Sequence, residues 1–576
     1  MAAIIRSFRQ KFALVKGQHP FLFWSCFTII LILIFVPAIV LGLFFGLAKR
    51  SGATSIPATS TPPPSIPTSI PLTVDLGYSK YQGADAANGV SQWLGIRYAA
   101  PPLGNLRFRA PTDPLSNDTL QVADTHGPLC HFSPSTSLDP THSEDCLFLD
   151  VYAPTQNETA ILHPVFVYFQ GGGFNTLSNP NLNGTSLINA GDNDIVIVTF
   201  NYRVGVWGFL TSQEVQADGD LNVGLLDQRK CLEWVQKYIH LFGGDPGHVT
   251  IGGDSAGGAS VDLQLSAYGG RNDGLFHAAA AESQSFGPQL TVEESQYQYD
   301  GIIERVGCAN DTDTLQCLRN TDVAVVVENN INIPTPGGAG GNPLYMWSPV
   351  IDGNFTANYT YNEFAQGHFV KVPSIFGDDT NEGTIWAPGS LNSSTAMDNF
   401  LKDNFVNLTE SDLEQINSFY PESQQFPGKG TFWEAGANAY GEMRYTCPGI
   451  YISTMISSHG GTPSYNYRWD VLSSQNAENG FGVTHTAELA SIWGFSGAPD
   501  NALIPTIQAY WTSFIRTKNP NTYRLESSPE WTTFNATSMQ RIHIPNDPKN
   551  VTMESVPADQ QARCKFLTSI GPSLEQ

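Results

Sequence analysis

Positive charge is scarce in this sequence: 29 Lys and Arg stand against 53 Asp and Glu in 576 residues, a formal net charge of −24. That deficit excludes a protein that tracks a phosphate backbone or adsorbs electrostatically on anionic lipid, since both need clustered cations. No His or Cys cluster has the spacing of a catalytic zinc site, and no glycine-rich run ends as a phosphate loop does. Neither a metal nor a nucleotide cofactor is expected. Cysteine is sparse too, at eight. Cys26 lies in an apolar run, and the odd number left over requires at least one free thiol. Cys231 fits that role, because Leu232, Trp234, Val235, Tyr238 and Ile239 surround it with a helical apolar pattern that buries an inert thiol.

Long hydrophobic runs are missing except for one, Phe21 to Ala48, which is long enough to cross a hydrocarbon core of about 30 Å as a helix even with Pro37 inside it. A cleaved signal would have an apolar stretch of only roughly 7 to 15 residues, so a retained anchor is expected. Arg6, Arg9, Lys11 and Lys16 precede the run, and Lys49 and Arg50 follow it. The larger cluster stays cytosolic, giving a single-pass type II arrangement whose partner is the bilayer at residues 21–48. The remainder carries 23 basic and 53 acidic residues, a net of −30. Ser51 to Leu72 is mostly Ser, Thr and Pro and reads as an extended stalk, either O-glycosylated or bare. The division expected is a basic tail at 1–20, a membrane helix at 21–48, a stalk at 49–72 and one large domain at 73–576. Ten N-x-S/T sequons, at Asn117, Asn157, Asn183, Asn310, Asn354, Asn358, Asn392, Asn407, Asn535 and Asn550, all follow the apolar run, which agrees with an extracellular or lumenal domain.

Chemistry enters at Gly253-Asp254-Ser255-Ala256-Gly257. His248 to Ile251 reads as a short buried strand, and the small residues Gly257 to Ser260 permit a closely packed helix start. Strand, sharp turn and helix make a nucleophile elbow, in which a strained serine projects its hydroxyl into a cleft. Upstream, Pro164 to Phe169 reads as a strand that delivers Gln170-Gly171-Gly172-Gly173-Phe174, where consecutive glycines let backbone amides converge on one oxygen. Downstream, Val372 to Gly377 reads as a strand followed by Asp378, Asp379 and Glu382, three competing carboxylates. Beyond these only His459, His485 and His543 remain as bases. His459 falls in a glycine-rich turn and His543 in a strand-like run with a surface or edge role, whereas His485 sits in a loop that enters a helix.

The run Phe242 to Gly257 resembles the serine signature of the type-B carboxylesterase/lipase family, which includes cholinesterases and the non-enzymatic neuroligins. Glu144-Asp145-Cys146-Leu147-Phe148-Leu149-Asp150-Val151-Tyr152-Ala153-Pro154 resembles a second family signature, with Phe148 where tyrosine or threonine is usual. Trp93 to Tyr98, Asn201 to Gly205, Gly224 to Arg229 and Tyr510-Trp511 extend the likeness over residues 74–570. The resemblance implies an α/β-hydrolase fold with a large, mostly parallel central sheet flanked by helices. It implies Ser255 as nucleophile, His485 as base and Glu382 as the acid that orients it, with Gly172, Gly173 and Ala256 as oxyanion donors. Gln170 replaces the histidine or tyrosine common at the head of the glycine motif, which alters the contacts behind the donors. Six cysteines allow fifteen pairings; the resemblance selects Cys130–Cys146, Cys308–Cys317 and Cys447–Cys564. A small-molecule ester is then the expected substrate. A catalytically idle neuroligin-like ectodomain and a lipase are the rival readings, and retention of serine, acid, histidine and glycine motif together favours the esterase. The short Cys130–Cys146 loop has no tryptophan to hold a choline cation and little chain for a mobile lid. Phe286, Trp347 and Trp386 are available to line an acyl pocket or to pack the core.

Overall fold

A computed structural model describes residues 71–576 apart from 136, 156–160, 424–426 and 496–501. The basic tail, the apolar run at 21–48 and nearly all of the stalk lie outside the described residues. Among the described residues no helix is long and apolar enough to cross a membrane. Leu72, which composition assigns to the stalk, already belongs to the folded domain. Its carbonyl accepts from the Trp93 indole at 2.9 Å and from the Gly83 amide at 2.8 Å.

Eleven strands form the main sheet: β1 Ala84–Asp85, β2 Val90–Arg97, β3 Phe148–Pro154, β4 His163–Phe169, β5 Val196–Phe200, β6 Gly244–Asp254, β7 Ala278–Glu282, β8 Ser374–Asp379, β9 Ser464–Asp470, β10 Gln540–Pro545 and β11 Thr552–Ser555. Their spatial order is β11-β10-β9-β8-β7-β6-β4-β5-β3-β2-β1. From β5 through β10 every neighbouring pair is parallel, and the pairs beyond at either end are antiparallel. A parallel sheet needs helices on both faces, so its strands are apolar on both sides. Alternation then sorts the side chains. Val165, Val167 and Phe169 enter one core, and Phe166 and Tyr168 the other. Helices α1 Val223–Tyr238 and α2 Ala256–Gly270 supply the first core, where Cys231 is buried and unpaired. Helix α4 Ile504–Thr517 covers the opposite face through Ile507, Tyr510, Trp511 and Phe514.

Helix α3, Cys447–His459, and helix α5, Ala558–Ile570, are joined by the Cys447–Cys564 disulfide, which spans 117 residues. Cys130–Cys146 and Cys308–Cys317 close shorter loops. Eight of the sequon asparagines are exposed and Asn358 is half-buried; Asn157 lies outside the described residues.

Two local expectations need correction. Strand β8 begins after Pro373, which has no amide to give to a ladder, and runs on to Asp379. Asp378 and Asp379 are therefore buried strand residues, and the strand does not end at Gly377 as the sequence suggests. His543 does not lie on an edge, because β11 pairs with β10 and makes it interior; its Nε2 meets Asp470 Oδ2 at 2.9 Å.

Candidate active site

Ser255 follows the C-terminal end of β6 and precedes α2, with φ 56° and ψ −119°. This strained conformation survives because Gly253 and Gly257, two residues to either side, have no side chains. A Cβ on Gly257 would come 1.9 Å from the Phe169 carbonyl oxygen, and one on Gly253 would come 2.6 Å from the same atom. The Ser255 amide donates to Glu282 O at 2.8 Å, which ties the elbow to β7.

The imidazole of His485 bridges two of the side chains that the sequence singles out. Its Nε2 is 2.8 Å from Ser255 Oγ, and its Nδ1 is 2.5 Å from Glu382 Oε2. Glu382 is fixed in turn, since its Oε1 accepts from the Asp379 amide at 2.7 Å and from Ser283 Oγ at 2.8 Å. All three side chains are largely shielded, with Ser255 at 7% and His485 at 9% exposure. Tyr445 packs on the imidazole at 4.4 Å between ring centroids and Trp386 at 5.9 Å, so Trp386 borders the site and does not merely fill core. Trp347 is core, its indole donating to Asn330 Oδ1. Of the competing groups, Asp378 accepts from Gln284 Nε2 at 2.8 Å, and His459, the last residue of α3, lies against Ala365 O. Neither reaches Ser255.

The glycine motif follows β4. Gly172 and Gly173 have φ +117° and +61°, and a Cβ would lie 2.2 Å from Thr176 O in the first and 2.1 Å from the Tyr345 ring in the second. Among the described residues, the amides of Gly172, Gly173 and Ala256 donate to no protein acceptor. Gln170 turns its Nε2 to Asn201 Oδ1 at 3.1 Å and accepts from Tyr202 OH through its carbonyl, so it braces the motif from behind. Asp254 links the motif to the elbow. Its Oδ1 accepts from Gly171 N and Tyr168 OH, and its Oδ2 from Asn179 Nδ2. Ser283 and Asp254 thus hold the constellation in place, yet neither carries a sequence signal of its own beyond adjacency to a strand end or to the serine.

Behind the imidazole lies a group of buried acids. Asp379 and Glu488 interact carboxyl to carboxyl, with no cation paired to either among the described residues. Glu488 also accepts from Tyr467 OH at 2.6 Å. Burial, reinforced by the neighbouring carboxylates, raises Asp379 well above its ordinary range and pushes Glu488 up to about 7. A raised carboxyl binds its proton more tightly in the folded chain, so its stabilising contribution is complete below the ordinary carboxylate range. That contribution is lost as the pH rises through about 7. Glu488→Gln should therefore flatten the decline of the thermal midpoint between pH 5 and 8, removing on the order of 3 kcal/mol of pH-dependent stability. Midpoints that fall equally in both proteins would assign the decline to other groups.

The fold and the strand-end serine define an α/β hydrolase, and the comparisons agree. A model of the carboxylesterase family matches residues 73–566. The crystal structure of Aspergillus niger EstA superposes with a TM-score of 0.84 at 41% identity, covering 88% of this chain and 99% of that one. Secreted lipase 4 of Gibberella zeae is 30% identical over 489 residues, covering 82% of this chain and 86% of the lipase. Lipase 2 of Geotrichum candidum is 30% identical over 490 residues, with 75% and 84% covered. The chain belongs to the carboxylesterase family and is a carboxylic ester hydrolase.

Proposed function

We propose that the chain hydrolyses small carboxylic esters through an acyl-enzyme formed on Ser255. The observation that carries this reading is the unbroken chain of contacts from Ser255 Oγ through His485 to Glu382. His485 takes the hydroxyl proton as Oγ attacks the ester carbonyl, and Glu382 stabilises the imidazolium. The amides of Gly172, Gly173 and Ala256 receive the oxyanion. His485 then gives its proton to the leaving alcohol. In the second half, water loses a proton to His485, attacks the acyl carbon and releases the acid, and Ser255 recovers its proton.

An idle, neuroligin-like role is disfavoured by the intact serine and its partners. A lipase would share the chemistry, and the names of the Gibberella and Geotrichum relatives favour testing long acyl chains. A panel of p-nitrophenyl esters of increasing acyl length answers both points. Turnover that peaks at short chains supports an esterase, turnover that peaks at long chains with an interface supports a lipase, and none at all supports the idle reading.

Choline selectivity is not expected. The Cys130–Cys146 loop offers Phe132 but no tryptophan, and an aromatic face contributes only about 0.5 to 2 kcal/mol toward a cation. The kcat/KM for acetylthiocholine should stay within tenfold of that for an uncharged thioester of equal size; a larger preference would contradict this.

The folded domain, which includes Leu72, is assigned to the extracellular or lumenal side, carried by the stalk that precedes it on a membrane helix at 21–48 with residues 1–20 cytosolic. The secreted relative supports the outward placement of the catalytic domain. Alkali extraction of expressing cells should leave full-length protein in the membrane fraction; recovery only of a soluble form cleaved near Ala48 would replace the anchor with a signal peptide.

A further inference from the structure

Arg444 takes no part in the contacts around Ser255, yet it is among the most deeply buried cations of the domain, at 4% exposure. It sits in a π-helical turn, Glu442–Thr446, that runs directly into α3. An extra residue in a helical turn re-aims side chains, and such turns recur at functional sites. Nε of Arg444 donates to Ser285 Oγ at 2.9 Å. The guanidinium lies 5.0 Å from the Tyr345 ring centroid and 6.0 Å from that of Tyr445, with Tyr440 as a further polar neighbour. No carboxylate is within ion-pair distance of it among the described residues. A buried cation without a counter-ion is costly, and here it borders open space.

Two cavities meet at this side chain. One is lined by Tyr345, Tyr297, Gln298 and Arg444. The other is lined by Phe174, Ala259, Ser285, Phe286 and Arg444. Both lie beside the reaction centre, although Ser255, His485, Glu382, Gly172 and Gly173 line neither. Tyr345 lies against Gly173, Phe174 follows Gly173, and Ala259 is one turn along α2 from Ser255. Tyr445, the residue after Arg444, packs tilted against His485.

We propose that Arg444 is an anion subsite of the active centre, selecting esters that carry a carboxylate at the end of the acyl or alcohol portion, such as half-esters of dicarboxylic acids. A planar guanidinium suits a carboxylate, which it can bind through two parallel hydrogen bonds. The acids that share the cavities oppose this weakly. The Asp262 carboxyl makes no hydrogen bond, and burial raises it well above the ordinary carboxylate range. Glu575 accepts from Asn407 and is pushed up to about 7 by burial and by Glu294, while Asp403 is engaged by the amides of Ala339 and Gly341. The inference rests on the ester-hydrolase reading of Ser255.

The test compares hydrolysis of monomethyl succinate, glutarate and adipate with the methyl esters of the matching monocarboxylic acids, and of 3-acetoxypropanoate with butyl acetate. At least one acidic ester should exceed its neutral counterpart tenfold in kcat/KM, and whether it is a half-ester or the acetoxy acid tells which portion reaches Arg444. Arg444→Gln should cut that ratio at least tenfold, with Arg444→Lys intermediate. If Arg444→Gln does not fold, competitive inhibition of the wild type by glutarate, at least tenfold stronger than by pentanamide, carries the same weight. Ratios near one together with equal inhibition overturn the subsite while leaving the esterase reading intact. Absence of all ester turnover overturns that reading instead, and glutarate binding, measured by calorimetry on the wild type and Arg444→Gln, still decides the subsite.

Discussion

Ser255→Ala should lower kcat for a short p-nitrophenyl ester by about 10⁵- to 10⁶-fold, because alanine occupies the elbow but supplies no nucleophile. His485→Ala should fall by a similar factor. The double variant should be no worse than either single one, since residues that act as a unit do not contribute additively. The elbow keeps its shape in Ser255→Ala: the strain at φ 56° is the same for serine and alanine, and the close approach to Phe169 involves Gly253 and Gly257. Circular dichroism should be unchanged. Turnover near the wild-type rate in a folded Ser255→Ala protein would remove this serine from the chemistry.

The second large effect is on stability. Cys447–Cys564 closes a loop of 117 residues and fastens α5 to the start of α3, whereas Cys308–Cys317 closes one of 9. In the chain-entropy view the long bridge restricts the unfolded chain by about 5 kcal/mol and the short one by about 2.6 kcal/mol. Replacing both cysteines of the long bridge by alanine should lower the thermal midpoint by about 5 °C for a domain of roughly 500 residues, some twice the fall from removing the short bridge. Calorimetry on the two double variants checks this ranking. Equal shifts would mean that packing at α5, not loop closure, governs the stability of this end of the domain.

Much of this architecture is legible in the sequence because its elements carry strong local signals. A β-branched run followed by glycines can hardly be anything but a strand that ends in a tight turn, and Gly253 and Gly257 announce a place where backbones nearly touch. Other parts leave no such trace. Ala278–Glu282 is four alanines and a glutamate, poor strand formers, and it becomes β7 only because β6 and β8 flank it. The second hydrogen bond to Glu382 comes from Ser283, about a hundred residues away in sequence. The Asp379–Glu488 contact joins two acids that lie 109 residues apart in sequence (488 − 379). Arg444 carries no sequence signal of its own; its burial and its π-helical turn appear only in the folded backbone. Long-range pairing of this kind depends on tertiary context, which periodicity does not encode.

The most direct measurement is an active-site titration with a fluorophosphonate, followed by peptide mapping. One label per chain, on the peptide that contains Ser255, with ester turnover lost in proportion to labelling, is the expected result. Labelling of a different residue with turnover lost in step, or full labelling of Ser255 with turnover intact, would contradict Ser255 as the nucleophile.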